Sequence, residues 1–236
     1  LWCVVPDVDF TAPDAWLGSS AWGAAHVAAL EHPEHWGGLV QVDRSASADT
    51  LVAHVLAGRE SLLRIRGTQA ETARLASPPP VHLGVAEPSL SGTWLLTGAS
   101  GGMGGHLASW LARRGAEHLV LISRRGDAAP GAKELSTQLR EMGAAISWRA
   151  MDVSDREAVS DLVGSLPKLS GVVHAAGASA DGPLLEQTAM SWQQVFSAKV
   201  DGALNLHLAT KERTLDAFVL IGSAAGTIGV AGQSAY

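Results

Sequence analysis

Cysteine is almost absent: Cys3 is the only one among 236 residues. That excludes an internal disulfide and any cysteine-built metal site, and it fits a reducing cytoplasm. Within its strand, Cys3 reads as a buried small hydrophobe. Long apolar runs are missing too, since no stretch approaches the roughly 18 residues that a membrane-spanning helix needs. Positive charge is not in excess. A formal net charge of −6 and a pI near 5.8 argue against a nucleic-acid surface. The nine histidines lack metal-ligand spacing, and His26, His32 and His35 read as a helix and its exit, so no metal is expected. The eight tryptophans form no regular stripe and read as packing residues. No segment has the pattern of a signal peptide.

What is present is an ordinary globular composition, 47% hydrophobic and 17% charged. The chain opens with LWCVV, which reads as a buried strand, and nothing closes a fold after Tyr236. The expectation is an excerpt of a longer protein, one that would not make a working site if cut at Tyr236. In the first part, residues 1–5, 37–42 and 61–66 read as strands and 15–32 and 49–58 as helices. The Pro-, Ser- and Gly-rich stretch 77–92 breaks both periodicities and reads as a linker. The predicted units are therefore 1–90 and 91–236. In the second, strands at 93–98, 118–123, 144–152, 171–177 and 217–223 alternate with helices at 103–115, 130–142, 154–166 and 188–211. Continuous apolar strands alternating with helices predict an α/β, doubly wound parallel sheet covered on both faces. Such sheets bind ligands beyond the carboxyl ends of their strands.

Residues 97–105, TGASGGMGG, sit at one of those ends. A turn needs one or two glycines; the surplus leaves room for a ligand close to the backbone. Gly98, Gly102 and Gly104 follow a strand and open a helix, where amide N–H groups and the positive helix end suit a pyrophosphate. The next strand ends in Ser123, Arg124 and Arg125, where an NAD site would usually carry a carboxylate. Arginine there suits a 2′-phosphate, so the expected cofactor is NADPH. Asp152 either accepts a hydrogen bond from the adenine amino group or serves as a helix cap, for which Ser154 competes. HAAG, residues 174–177, again puts small residues where a cofactor would pass.

TGxxxGxG, SRRG, MDVSD, VVHAAG, AKVDGALNLH and VLIGSAAGTIGVAGQSAY, in that order, resemble the ketoreductase domain of modular type I polyketide synthases, in the short-chain dehydrogenase/reductase superfamily. WGxxxVAALEHPEHWGGLV resembles the structural subdomain of those ketoreductases. The resemblance implies a Rossmann-like catalytic subdomain, with 1–90 as a truncated Rossmann-like structural subdomain before it. Thr97, Ser100, Met103, Val153, Ala175, Ala176 and Gly177 join the residues above as implied cofactor contacts. Tyr236, 13 residues after Ser223, takes the place of the proton donor, and Ser223 that of the carbonyl's hydrogen-bond partner. A tyrosine with pKa near ~10 needs a nearby cation at neutral pH, and Lys199, 24 residues before Ser223, fits the upstream lysine of these ketoreductases. His174 stands where many relatives carry asparagine.

The implied activity is NADPH-dependent reduction of a β-keto group on a chain bound to an acyl carrier protein through phosphopantetheine, beside neighbouring synthase domains in a bacterial cytoplasm. A reductively silent NADPH-binding scaffold and a stand-alone ketone reductase are the alternatives. For stereochemistry, Ser179, Ala180 and Asp181 replace the Leu-Asp-Asp of B-type relatives, while Ile228 replaces the tryptophan frequent in A-type ones. Without the Leu-Asp-Asp loop that guides the tethered chain from one side, and with Gln233 bordering the other, the expectation is A-type, an L-configured alcohol.

Overall fold

The computed structural model describes residues 1–7, 15–77 and 89–236, with side chains described from residue 20 onward in the first helix. The greater part of the expected linker, 78–88, lies outside the described residues. Two compact units are present: one comprises Leu1–His82 with Ala180–Ala189 and Ser223–Tyr236, the other Leu83–Ser179 with Met190–Gly222.

The first unit is built on a four-stranded sheet, β1 (Trp2–Pro6), β2 (Gly38–Val42), β3 (Leu62–Arg66) and β4 (Gln69–Thr72), paired in that order. The first three are parallel, joined through α1 (Ala15–Glu31) and α2 (Ala48–Ala57), while β4 folds back antiparallel on β3. Val40, Leu63 and Ile65 make its core, with Leu51 and Val55 of α2 packed on them. A Cβ at Gly37 would lie 2.3 Å from the Trp2 indole nitrogen, so the Gly37-Gly38 pair lets that ring lie against the backbone. α2 starts at Ser47, whose hydroxyl accepts from the Thr50 amide, and stops at Gly58 with φ of +60°.

Two expectations need correction. LWCVV is not a buried strand: Val4 is 49% exposed and Cys3 only half-buried, because β1 is an edge of the described sheet. The strand β4 was not foreseen, since QAET shows no apolar alternation and is exposed throughout.

The second unit holds a five-stranded parallel sheet in the order β7-β6-β5-β8-β9. Its elements are β5 (Thr93–Thr97), α3 (Gly102–Arg113), β6 (His118–Ser123), α4 (Ala132–Glu141), β7 (Ala145–Ala150), α5 (Arg156–Gly164), β8 (Leu169–His174), α6 (Ala189–Phe196), α7 (Gly202–Thr210) and β9 (Ala217–Leu220). Adjacent residues Leu95 and Leu96 are both fully buried and belong to cores on opposite faces. One core takes Leu111 of α3 and Leu139 of α4; the other takes Val159 of α5 and Leu206 of α7. This double coverage explains why β5 reads as an unbroken apolar run, each leucine contributing about 2 kcal/mol by burial. The cap of α5 is Asp155, whose carboxylate accepts from the Ala158 amide, and neither Asp152 nor Ser154 fills that role.

The chain leaves β5 toward β6 on one side and returns to β8 on the other, so the strand order reverses beside β5. Thr97 is level with Ile122 and with His174, and all three strands end together. The crevice beyond those ends is where an open α/β sheet takes its ligand.

Candidate active site

The glycines after β5 have separate roles. Gly98 has φ of +69°, and a Cβ there would lie 2.7 Å from the backbone of Ala175 and Ala176. It permits a turn and a close approach of the β5 and β8 ends. A Cβ at Gly104 would lie 2.3 Å from the Gly98 carbonyl oxygen, so this glycine lets α3 pack onto its own entry loop. Gly102 is different: nothing stands within 4 Å of a Cβ there. Its space is open, at the first residue of α3.

A groove of about 310 Å³ lies at the strand ends of the second unit. Gly98 and Ser100 line it after β5, Ser123 at the end of β6 and Arg124 after it, Asp152 and Val153 after β7, and Ala175, Ala176 and Gly177 after β8. Every one of these was expected from the sequence. Thr97, Gly102, Met103 and Gly104 are not among the lining residues. The Thr97 hydroxyl is instead buried against His174 and the Ala176 amide, and Met103 is exposed on the first turn of α3. Asp152 accepts through one carboxylate oxygen from both the amide (2.9 Å) and the hydroxyl (2.8 Å) of Ser154. Those bonds, with the Arg124 guanidinium adding a smaller effect against desolvation, hold its carboxyl below the usual range. Asp152 thus stays ionised as an acceptor at the groove.

Lys199 lies in a segment of wider turns, Ser197–Asp201, that joins α6 to α7 without a gap, inside the helical stretch expected at 188–211. Its ammonium donates to the Ile221 carbonyl at 3.0 Å. The lysine stem passes over Gly177, since a Cβ there would lie 2.7 Å from Lys199 Cε. The segment is tied to the sheet by His174, which is 2% exposed and bonds through Nε2 to the Ala198 carbonyl at 3.1 Å. A π-type widening inside a helix commonly marks a functional site.

Ser223 and Tyr236 belong to the first unit and Lys199 to the second. Ser223 is exposed, and its hydroxyl accepts from the Ala225 amide at 3.1 Å, at the start of the short helix α8 (Ala225–Ile228). Tyr236 is half-buried, and its amide donates to the Gln233 carbonyl at 3.1 Å. A separate hollow of about 400 Å³ in the first unit, bordered by Trp22, Arg64 and Thr227, carries none of the expected site residues.

Gln194, Ser197 and Ala198 also line the groove, from the α6 side, and were missed. Their only sequence signal was nearness to Lys199. Among the described residues no cluster of His, Cys, Asp and Glu could hold a metal ion, and no helix is long and apolar enough to cross a membrane.

A family model described as the KR domain matches residues 92–236. The polyketide synthase GfsA of Streptomyces halstedii is 42% identical over all of this chain and 3% of its own length, and erythronolide synthase EryA3 of Saccharopolyspora erythraea is 42% identical over 91% and 7%. The chain thus spans a small fraction of these relatives. Two solved structures align over the whole chain and 52% of their own. "Structure of A-type Ketoreductases from Modular Polyketide Synthase" has a TM-score of 0.86 at 37% identity, and "The first ketoreductase of the tylosin PKS" has 0.87 at 40%.

Proposed function

This chain belongs to the KR-domain family of modular type I polyketide synthases, and from that premise we propose that it uses NADPH to reduce the β-keto group of an acyl chain carried by an acyl carrier protein. The product is a β-hydroxyacyl group of L configuration, made beside the other domains of a bacterial synthase. In this reading residues 1–90 are structural and 91–236 catalytic.

The observation that carries the reading is the groove at the strand ends. Gly98 and Ala175 to Gly177 line it with nothing larger than a methyl group, and the exposed Arg124 lines it at the β6 end. Glycine and alanine leave backbone amides open to a pyrophosphate, and a guanidinium at the β6 end, where the sequence carries Ser123-Arg124-Arg125 in place of a carboxylate, suits a 2′-phosphate. The groove therefore fits NADPH. When bound, the nicotinamide supplies the hydride. Tyr236 gives a proton to the carbonyl oxygen, Ser223 hydrogen-bonds and orients that oxygen, and the Lys199 charge favours the deprotonated phenol left behind.

For stereochemistry, the A-type and A1-type ketoreductase structures to which the chain is similar support the L assignment, as does the replacement of Leu-Asp-Asp by Ser179-Ala180-Asp181. NADPH consumption with a β-ketoacyl thioester, followed by chiral chromatography of the alcohol, tests the whole proposal in the intact protein. L-alcohol is expected, with kcat lowered at least ~100-fold in Tyr236→Phe at unchanged NADPH affinity. NADPH binding without turnover would replace the proposal with a silent scaffold. Turnover of free ketones alone would replace it with a small-ketone reductase, and a D-alcohol would overturn the stereochemical assignment.

A further inference from the structure

Glu31 is the last residue of α1, where a negative charge meets the negative end of the helix dipole and is unfavourable on local grounds. Its carboxylate is nonetheless well compensated. Oε2 accepts from the Leu184 amide at 2.6 Å and Oε1 from the Gly232 amide at 2.7 Å. The donors lie 153 and 201 residues further along the chain, on two loops of the same unit. The loops are also joined to each other: the Gly182 amide donates to the Gly232 carbonyl at 2.8 Å, and Gln233 Nε2 donates to Asp181 at 3.3 Å. Gln187 braces the first loop by donating to the Ala180 and Gly182 carbonyls. At the far end of the second loop, Gly229 has φ of +73°, and a Cβ there would come within 2.6 Å of His26 on α1. From Gly232 the chain runs through Gln233 directly to Tyr236, whose amide bonds back to Gln233.

We propose that Glu31 is a positioning residue: its two carboxylate oxygens hold the 180–187 and 229–236 loops together on the end of α1 and so set where Tyr236 and Gln233 stand. The two backbone bonds, Leu184 first and Gly232 second, hold its carboxyl below the usual range, so it is charged wherever the protein works at neutral pH. A carboxylate is suited to this task because it accepts at both oxygens and donates at neither. Glutamine in its place offers one acceptor and turns an N–H toward the other amide. The inference rests on the proposed reduction for the meaning of Tyr236, but the clamp itself is a statement about two loops.

The test compares Glu31→Ala and Glu31→Gln with the parent in the intact protein, by amide hydrogen exchange, NADPH affinity, kcat and KM on a β-ketoacyl thioester, and enantiomer ratio. Glu31→Ala should raise exchange at Leu184 and over 229–236 at least tenfold, lower kcat at least tenfold, erode the enantiomer ratio and leave NADPH affinity within twofold. Glu31→Gln should fall between, and it carries the test if the alanine variant does not fold. Unchanged loop exchange, exchange rising evenly through both sheets, or loosened loops with unchanged kcat and enantiomer ratio would each overturn the proposal. If the parent reduces no thioester, the functional reading fails by itself; exchange confined to the two loops then upholds the clamp, and unchanged exchange removes it.

Discussion

His174 Nδ1 lies 2.7 Å from Thr97 Oγ1, joining the last residues of the two central strands on either side of the reversal in the sheet. Nε2 of the same ring faces the Ala198 carbonyl, which can only accept, so Nε2 carries the proton and Nδ1 accepts from the Thr97 hydroxyl. That hydroxyl accepts in turn from the Ala176 amide at 3.1 Å. One neutral imidazole therefore ties the ends of β5 and β8 to the segment that carries Lys199.

The neutrality of His174 has a pH consequence. Burial, and then the charge of Lys199, lower its pKa from 6.5 to about 4. Between those values the unfolded chain binds the proton and the folded one does not. Stability from this group is therefore complete above about pH 6.5, falls as pH drops toward about 4, and is flat below, for a total near ~3 kcal/mol. Denaturant unfolding at a series of pH values should show this slope in the parent. It should be lost in His174→Gln, whose amide can donate to Ala198 and accept from Thr97. An equal slope in both would place the proton uptake elsewhere.

The glycines predict opposite results for one added methyl group. Gly98→Ala puts a Cβ 2.7 Å from backbone atoms at a φ of +69° and should unfold or grossly destabilise the second unit. Gly102→Ala meets nothing within 4 Å in the protein and should leave the melting temperature unchanged within a few degrees. Its cost should appear in binding, with NADPH affinity falling at least ~10-fold, a loss of about 1.4 kcal/mol. Normal affinity in a stable Gly102→Ala protein would mean the pyrophosphate does not lie against the start of α3.

In the proposed reading, Arg124 sets the choice between cofactors. It is exposed at the groove wall, close enough to Asp152 to lower that carboxyl's pKa, and a 2′-phosphate would add a charge-assisted contact of roughly 1.5–3 kcal/mol. Arg124→Ala should raise KM for NADPH on the order of 10–100-fold and change KM for NADH little. Equal effects on both would remove Arg124 from 2′-phosphate recognition.

The strand ends were legible in the sequence because each couples a physical requirement to a residue pattern. Leu95 and Leu96 are both apolar because both faces of β5 are covered, and the glycines follow because α3 and the Ala175 backbone come close. The β4 strand was not legible, because an exposed edge strand needs no apolar residue. Nor was the widened turn at Lys199: no residue pattern in SAKVD marks it, and the hydrogen bond that its Ala198 carbonyl makes reaches a histidine 24 residues earlier. Gln194 and Ser197 reach the groove from the side of a helix, where no strand-end rule points. Glu31 is a single glutamate at a helix end, and its role exists only once loops more than 150 residues away are folded against it.

Gly177→Ala tests the placement of Lys199 without touching its charge. Gly177 has an ordinary backbone conformation, so alanine fits the main chain, but its Cβ would lie 2.7 Å from Lys199 Cε and 3.2 Å from Nζ. The displaced atoms are the far end of a flexible side chain, which can move at little cost in folding. The melting temperature should stay within a few degrees of the parent. What should change is turnover: in the proposed reduction the Lys199 ammonium assists proton transfer, so displacing it should lower kcat at least ~10-fold at neutral pH. Gly177 also lines the groove, so NADPH affinity must be measured alongside; a loss confined to NADPH binding, with kcat unchanged, would show that Gly177 serves the cofactor and that Lys199 does not depend on it.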